Sequence, residues 1–170
     1  MWHSHDRKRK NNETTETQIL LNPPSTSTQP THATADIVRA FVDEYFKAWQ
    51  GTDEDKILAY YSDDVVIHVP SGKLDGKAAL RDAFVRPFIA AFPGNVHVML
   101  NCAHAENLVA VEWRFEATHR GPFADVPATG RSVSVPGCSF YEYDLERRVI
   151  TAGRIYFDFG TLLQQLGAKG

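Results

Sequence analysis

The chain has few of the features that mark several large classes of protein. Only two of its 170 residues are cysteine, so it has no disulfide framework. No uninterrupted apolar run is long enough to span a bilayer. Acidic residues slightly outnumber basic ones, and the net charge of −3 gives no basic field that would attract nucleic acid. We therefore expect neither a membrane nor a nucleic acid as a partner.

Motifs of metal and nucleotide chemistry are missing as well. The seven histidines are scattered, and none forms a cluster with carboxylates or thiols at ligand spacing, so no metal site is expected. There is no phosphate-binding glycine loop and no G-x-S-x-G nucleophile motif. Cys102 and Cys138 lie in apolar, strand-like runs, which is typical of buried reduced thiols and favours a cytoplasmic protein.

The first 35 residues differ in composition from the rest of the chain. They are rich in Ser, Thr, Pro, Asn and Gln, and such a segment cannot bury enough apolar surface to offset its ordering entropy. We predict a disordered tail over residues 1–35 and one folded domain over residues 36–167. The basic run Arg7–Lys10 could be a nuclear-import patch, but short charge runs are usually solvated segments, and we favour that interpretation.

Three helices are predicted in the first half of the domain. The first runs from about Asp36 to Gln50 with Thr34 as its N-cap, and the second is capped by Thr52. The third spans roughly residues 77–92 and should kink at Pro87, which removes one backbone hydrogen bond. Apolar residues at helical spacing give the first helix a broad buried face: Ile37, Val38, Phe41, Val42, Tyr45, Phe46 and Trp49.

The second half reads as strands. Short apolar or alternating runs predict strands at Val65–Pro70, Val96–Ala105, Leu108–Arg120, Arg131–Asp144 and Arg148–Phe157. In Leu108–Arg120 the alternation puts six residues on one packed face: Val109, Val111, Trp113, Phe115, Ala117 and His119. Val96, Val98, Leu100 and Cys102 should likewise share one face of their strand.

These elements predict an α+β domain. A strongly curved antiparallel sheet should wrap around three helices, with a short helix at the C-terminus. We expect a bulge at Pro136-Gly137 and a glycine bend at Gly153 to permit the curvature. A sheet curled around a bent helix encloses a conical space, which is a natural binding site for a small molecule.

Three segments carry a resemblance to a known family. They are "AFVDEYFKAWQGTDEDKILAYYSDDVVIHVPSGKLDGKAAL", "THRGPFADVPATGRSVSVPG" and "RIYFDFGTLLQQLG". In them the chain resembles the NTF2-like superfamily, and within it the SnoaL-like polyketide cyclase and steroid-isomerase-like branch. The resemblance implies a cone fold, often dimeric, whose pocket takes an apolar molecule and whose chemistry needs no cofactor. Aligned without gaps, the C-terminal motif places Ile155 where the cyclases carry their acid/base aspartate.

Three residues are candidates for proton transfer. His119 lies on the Trp113/Phe115 face near the end of its strand, although a histidine there can also face water or bond a loop carbonyl. Asp158 precedes the last helix, where N-capping would explain it fully. Tyr45 lies on the buried face of the first helix and can offer a hydroxyl to a ligand or simply pack in the core.

The remaining candidates are contacts for a substrate. They are Trp49, His68, Trp113, Phe115, Ile155 and Phe157. Of these, His68 alternates with apolar neighbours and its side of the sheet is left open. Arg154 and Tyr156 alternate with Ile155 and should face outward, toward the partner of a homodimer. The sequence thus predicts a cofactor-free cyclase, isomerase or hydrolase that acts on an apolar metabolite, or a non-catalytic binding or dimerisation module of the same fold.

Overall fold

The structure is a computed structural model that describes residues 32–168. The helices are α1 (His32–Trp49), α2 (Glu54–Leu58), α3 (Gly76–Leu80), α4 (Arg86–Ala91) and α5 (Phe159–Leu166), with a π-helical turn at Arg81–Val85 between α3 and α4. The strands are β1 (Tyr61–Val69), β2 (Gly72–Asp75), β3 (Val96–Ala105), β4 (Leu108–Thr118), β5 (Ser132–Asp144) and β6 (Val149–Phe157). The basic run Arg7–Lys10 and residues 1–31 of the predicted disordered tail lie outside the described residues. Residues 32–35, the end of that predicted tail, form the start of α1.

One curved sheet holds all six strands in the order β2-β1-β6-β5-β4-β3. The α+β cone with a short C-terminal helix is therefore confirmed. One pair departs from the antiparallel prediction, because β1 runs parallel to β6. The core fills the space between the concave side of the sheet and helices α1, α3 and α4. Within residues 32–168, no helix has the length and apolar character needed to cross a membrane.

Several predicted element boundaries are wrong. Helix α1 begins at His32, so Thr34 is inside its first turn and does not cap it. Asp53, and not Thr52, caps α2, because its carboxylate accepts the backbone N–H groups of Asp55 and Lys56. The segment after Pro70, where no strand is predicted, contains the short edge strand β2 paired with β1.

The kinked third helix is broken into three pieces. α3 passes into the π-helical turn at Arg81–Val85, and α4 follows with Pro87 in its first turn. Proline fits there because the first N–H groups of a helix have no intrahelical acceptor. The bend lets the aromatic side chains of Phe84 and Phe88 both point into the cone, with ring centroids 5.4 Å apart.

In the first half of strand β3, the side chains that point into the core are those predicted to point outward. Its pairing with β4 shifts by one residue between Met99 and Asn101. Because one extra residue reverses the side-chain alternation, His97 pairs with Phe115 and lies inside, while Val96 and Leu100 are exposed. Ile37, predicted on the buried face of α1, is also exposed, with 53% of its surface accessible.

The glycines of β5 and β6 make room for aromatic rings. Pro136-Gly137 pairs with β4 without a register shift, so the predicted bulge is wrong, and the irregularity falls between Glu142 and Tyr143. A Cβ on Gly137 would lie 2.3 Å from the Trp113 ring, and one on Gly153 would lie 2.8 Å from the Tyr141 ring. Both residues are therefore glycine because an indole or phenol ring packs directly on the backbone.

Candidate active site

The cone contains two neighbouring compartments that share three lining residues. The inner chamber has a volume of about 30 Å³ and is lined by side chains of α1, the α3–α4 segment and all strands from β3 to β6. The outer pocket has a volume of about 430 Å³ and lies toward the loop between β4 and β5. Phe84, Phe88 and Phe157 border both compartments and lie between them. The inner chamber admits about one or two water molecules, so the body of a ligand has room only in the outer pocket.

Local sequence patterns explain which side chains reach the inner chamber. Tyr45 and Trp49 are one helical turn apart on α1 and therefore lie on the same face. Alternation along β4 and β6 brings in the side chains of Trp113, Phe115 and Ile155 from the concave side of the sheet. The result is a small chamber with mostly aromatic walls.

His97 is the ionisable imidazole of this chamber. Four rings surround it, with centroids 5.1 Å from Phe46, 5.3 Å from Phe115, 5.4 Å from Trp113 and 6.0 Å from Trp49. Part of the ring surface is accessible, but it borders a space that holds very few waters, and Nδ1 is buried without a hydrogen-bond partner. Removal from water lowers the pKa of His97 to about 3, so the imidazole is neutral at physiological pH.

Tyrosine hydroxyls supply the other polar groups of the chamber. The hydroxyls of Tyr45 and Tyr61 lie 2.5 Å apart and share a hydrogen bond, and Tyr141 packs edge-on against the Tyr45 ring. Burial raises the pKa of all three phenols well above the ordinary value, so they remain protonated donors. The indole N–H of Trp113 is already occupied, since it donates to Ser139 Oγ over 2.9 Å.

Six of the nine predicted site residues line the inner chamber: Tyr45, Trp49, Trp113, Phe115, Ile155 and Phe157. His68 does not, because Val65, Ile67 and Val69 take the inward positions of β1 and leave its side chain exposed on the outer face. Sequence reasoning missed His97 and Tyr141. The period-two pattern of β3 gave no signal for His97, since the bulge that turns it inward is not encoded in the alternation.

His119 lies outside both compartments. It is fully buried and stacks beside Phe92, with ring centroids 5.4 Å apart. Its Nδ1 accepts the Thr129 backbone N–H at 3.3 Å and lies 3.0 Å from the Thr129 hydroxyl, which places the ring proton on Nε2. Desolvation lowers the pKa of His119. His119 therefore lies on the packed face, as predicted, but does not border either compartment, and its side chain ties together the two ends of the 120–130 loop.

Asp158 caps helix α5. Its Oδ1 accepts the Thr161 backbone N–H at 2.8 Å, and Oδ2 accepts the Thr161 hydroxyl at 2.6 Å. These hydrogen bonds lower the pKa of the Asp158 carboxyl, which keeps it ionised and makes it a weak base. The side chain is exposed and borders neither compartment, so the capping interpretation is confirmed by the geometry.

Two substitutions separate capping from catalysis at Asp158. Asp158→Ala should lower the free energy of unfolding at pH 7, whereas Asp158→Asn should largely preserve it, because asparagine caps helices about as well. The difference between wild type and Asp158→Ala should shrink as the pH falls through the lowered pKa and the wild-type carboxylate is protonated. Urea unfolding at pH 7 and pH 3 measures both effects. Equal losses in the two variants would contradict the cap.

The ionisable side chains of the inner chamber do not include a carboxylate. Among residues 32–168, its lining contains no Asp or Glu, and Ile155 lies there with 7% of its surface accessible. The same part of the chain has no group of three or more His, Cys, Asp or Glu that could hold a metal ion. The chemistry available in the chamber is that of one neutral imidazole and two phenol hydroxyls, those of Tyr45 and Tyr141.

A family model described as a SnoaL-like domain matches residues 42–150, which include almost every strand of the cone. This chain belongs to the SnoaL-like family. The family lies within the NTF2-like superfamily, as the resemblance implied, and the matched region contains His97 and most of the inner chamber. No curated protein matches this SnoaL-like chain.

Solved structures show the same fold. A SnoaL-like polyketide cyclase from Jannaschia sp. CCS1 is 18% identical, with a TM-score of 0.68 over 84% of this chain and 99% of that one. TsrD from Streptomyces laurentii is 17% identical, with a TM-score of 0.68 over 83% and 100%. A protein from Catenulispora acidiphila with a ketosteroid isomerase-like fold, solved with trimethylamine, is 17% identical, with a TM-score of 0.62 over 76% and 93%. At these identities the similarity establishes the fold of the SnoaL-like chain and not its reaction.

Proposed function

We propose that this SnoaL-like protein is a cofactor-free enzyme of the cyclase or isomerase type, acting by acid/base chemistry on an apolar small molecule. The observation that carries the proposal is His97, an imidazole with an unpartnered ring nitrogen inside an aromatic chamber at the end of a large apolar pocket. A buried polar group without a partner costs stability, and such groups are concentrated where function requires them.

The proposed reaction begins with removal of a proton from carbon next to a carbonyl. The neutral imidazole of His97 takes the proton, and a phenol hydroxyl of Tyr45 or Tyr141 donates a hydrogen bond to the oxygen that becomes negative. The low pKa of His97 in the empty chamber does not prevent this step, because the enolate formed beside it stabilises the imidazolium. Return of the proton from His97 to another carbon completes an isomerisation. In the alternative reaction, the enolate carbon attacks a second carbonyl and closes a ring, and the proton held by His97 passes to the new alkoxide oxygen.

The volumes of the two compartments indicate how the substrate lies. An apolar body occupies the outer pocket, and only its carbonyl end passes between the rings of Phe84, Phe88 and Phe157. Aromatic walls favour flat rings, because stacked and edge-on contacts add to the burial of apolar surface. A fused-ring ketone is therefore the substrate class that this geometry supports best.

A conversion assay tests the proposal. The intact protein is incubated with a β,γ-unsaturated fused-ring ketone for double-bond migration and with an aryl β-ketoester carrying a second carbonyl for ring closure, and products are identified by mass spectrometry and NMR. Conversion that is lost in His97→Gln and kept in His68→Ala supports an enzyme. Binding of both compounds without change of either would contradict it.

The second candidate function is a non-catalytic binder of the same fold. Ile155 favours it, because the chamber carries an aliphatic side chain at the position that matches the cyclase acid. A binder should bind the unsaturated ketone and the β-ketoester without converting either of them. Its affinity for these two compounds should be the same in the wild type and in His97→Gln. The same assay therefore distinguishes the two functions.

We also propose that the outer face of the sheet forms a homodimer. Leu100 and Tyr156 are exposed there, with 42% and 52% of their surfaces accessible, and Arg154 lies over the Phe140 ring at 5.9 Å. Light scattering after size exclusion should give twice the 19.1 kDa chain mass. Tyr156→Glu should shift the mass toward the monomer, and Ile37→Glu on α1 should not. A monomer mass for the wild type would refute the dimer.

The cytoplasm is the compartment we propose. Cys102 and Cys138 are both free thiols in the described part of the chain. Unpaired cysteines are typical of proteins kept in a reducing environment. Fractionation of cells that express a tagged full-length chain tests this compartment, and recovery of the tagged chain outside the cytoplasmic fraction would contradict it.

A further inference from the structure

The outer pocket carries a carboxylate that the proposed reaction does not use. Apart from Ser71 and Asp125, the residues that line it have apolar side chains, and five of them are phenylalanine and three are proline. Within residues 32–168, Asp125 is the one ionisable residue in this lining. An unpaired charge at the edge of an apolar cavity is a recognition group for whatever enters the cavity. Asp125 is therefore the feature that the mechanism leaves unexplained.

The backbone holds Asp125 in a fixed position. Ala124 and Asp125 form a two-residue turn, and both have positive φ angles, +46° and +64°. Phe123 and Val126 close the turn through two backbone hydrogen bonds of 2.9 and 3.0 Å. Non-glycine residues rarely adopt this conformation, and the strain persists only where the surroundings enforce it.

The Phe123 ring anchors this turn to the wall of the cone. Its centroid lies 5.1 Å from that of Phe92, 5.7 Å from Phe88 and 6.0 Å from Phe159. Since Phe88 also borders the inner chamber, the turn and the chamber share one continuous aromatic wall. Asp125 thus belongs to a turn that packs on the wall of the outer pocket through the neighbouring Phe123 ring.

Nothing in the described structure neutralises the Asp125 carboxylate. No ion pair joins it to a lysine, arginine or histidine of residues 32–168, although many other exposed carboxylates are paired, such as Glu54 with Arg86 and Glu44 with Arg148. The Phe123 and Phe159 rings line the same pocket, and the face of an aromatic ring attracts a cation as a carboxylate does. Carboxylate and rings together favour a positive charge.

We propose that Asp125 determines specificity at the pocket mouth and selects ligands whose outward end is a protonated amine. This inference rests on the proposed function, because it assigns the second end of the same ligand. The apolar body fills the outer pocket, the carbonyl end points to His97, and the ammonium group lies between Asp125 and the adjacent rings. Because Asp125 is exposed to solvent, its contribution is a modest preference that salt should weaken.

Three probes of one shape test the inference. They are 1-naphthylmethylamine, 1-naphthylmethanol and 1-naphthylacetate, which are cationic, neutral and anionic at pH 7. Calorimetry on the full-length protein should give the amine about threefold to tenfold higher affinity than the alcohol at low salt, and the acetate a lower affinity than either. In Asp125→Asn the amine and alcohol should agree within about twofold, because asparagine keeps the turn and removes the charge. Asp36→Asn, which changes an exposed carboxylate on α1, should behave as wild type.

The outcomes separate this inference from the proposed function. Equal affinities for amine and acetate in the wild type, or a preference for the amine that persists in Asp125→Asn, would overturn the role of Asp125 while leaving the cavity as a ligand site. Failure of all three probes to bind, the neutral alcohol included, would contradict the proposed function and this inference together.

Discussion

Replacing His97 with glutamine should lower kcat/KM for a converted fused-ring ketone by about 10²–10⁴-fold, which is the usual contribution of a positioned acid/base group. Glutamine keeps a polar side chain of similar length and cannot accept a proton at neutral pH. The loss should fall mainly on kcat, since the apolar body binds in the outer pocket, away from His97. Steady-state kinetics on this variant and the wild type measure the loss.

A variant on the outer face of the sheet provides the matched control. His68→Ala removes an imidazole that lies outside the inner chamber, so its kcat/KM should stay within about twofold of the wild type. Thermal unfolding of each variant shows whether the fold is intact. Full activity in a folded His97→Gln variant would remove His97 from the mechanism and favour the binding function.

The second large effect is a loss of stability in acid. An unfolded histidine has a pKa of about 6.5, and burial holds the pKa of His97 in the folded protein at about 3. Between these values the unfolded state binds more protons, so the contribution of His97 to stability is complete above pH 6.5 and is lost as the pH falls toward 3. From pH 7 to pH 4 the loss amounts to about 3 kcal/mol.

A phenylalanine at position 97 isolates this contribution from that of the carboxylates. His97→Phe keeps an aromatic ring among the rings of Phe46, Trp113 and Phe115 and cannot titrate. The unfolding free energy of the variant relative to the wild type should therefore rise by about 3 kcal/mol between pH 7 and pH 4. Urea unfolding followed by tryptophan fluorescence at several pH values gives the difference. A constant difference across this range would show that His97 titrates normally and is hydrated.

Strong alternation made most of the sheet predictable. In β4 every second residue from Val109 to Phe115 is buried and lies where the sequence predicts, since a sheet with one packed face requires that order. The same reasoning correctly placed Tyr45 and Trp49 on α1 and Ile155 on β6. The burial of these residues follows from the local periodicity of their segments, so the sequence alone was enough to predict it.

The residues that the sequence misplaced depend on contacts between distant segments. If β3 and β4 paired without a bulge from residues 105 and 108 onward, Val98 and Leu100 would point inward, as predicted. The extra residue between Met99 and Asn101 reverses the alternation, so His97 points inward instead. His119 has the inward direction that β4 predicts, yet Thr129 and the 120–130 loop enclose it away from the cavity. Register and loop closure are long-range properties, so period-two patterns do not determine them.

The most direct test of the account is the response of the His97 ring to a ligand. In protein labelled with ¹⁵N in its histidine rings, and assigned with His97→Phe, addition of 1-naphthylmethanol should shift the His97 ring nitrogens and leave those of the exposed His68 unchanged. This shift is expected because, in the proposed binding mode, the polar end of a ligand in the outer pocket passes between the rings of Phe84, Phe88 and Phe157, which border both compartments, and meets His97. Saturating binding that leaves the His97 signals in place would contradict it.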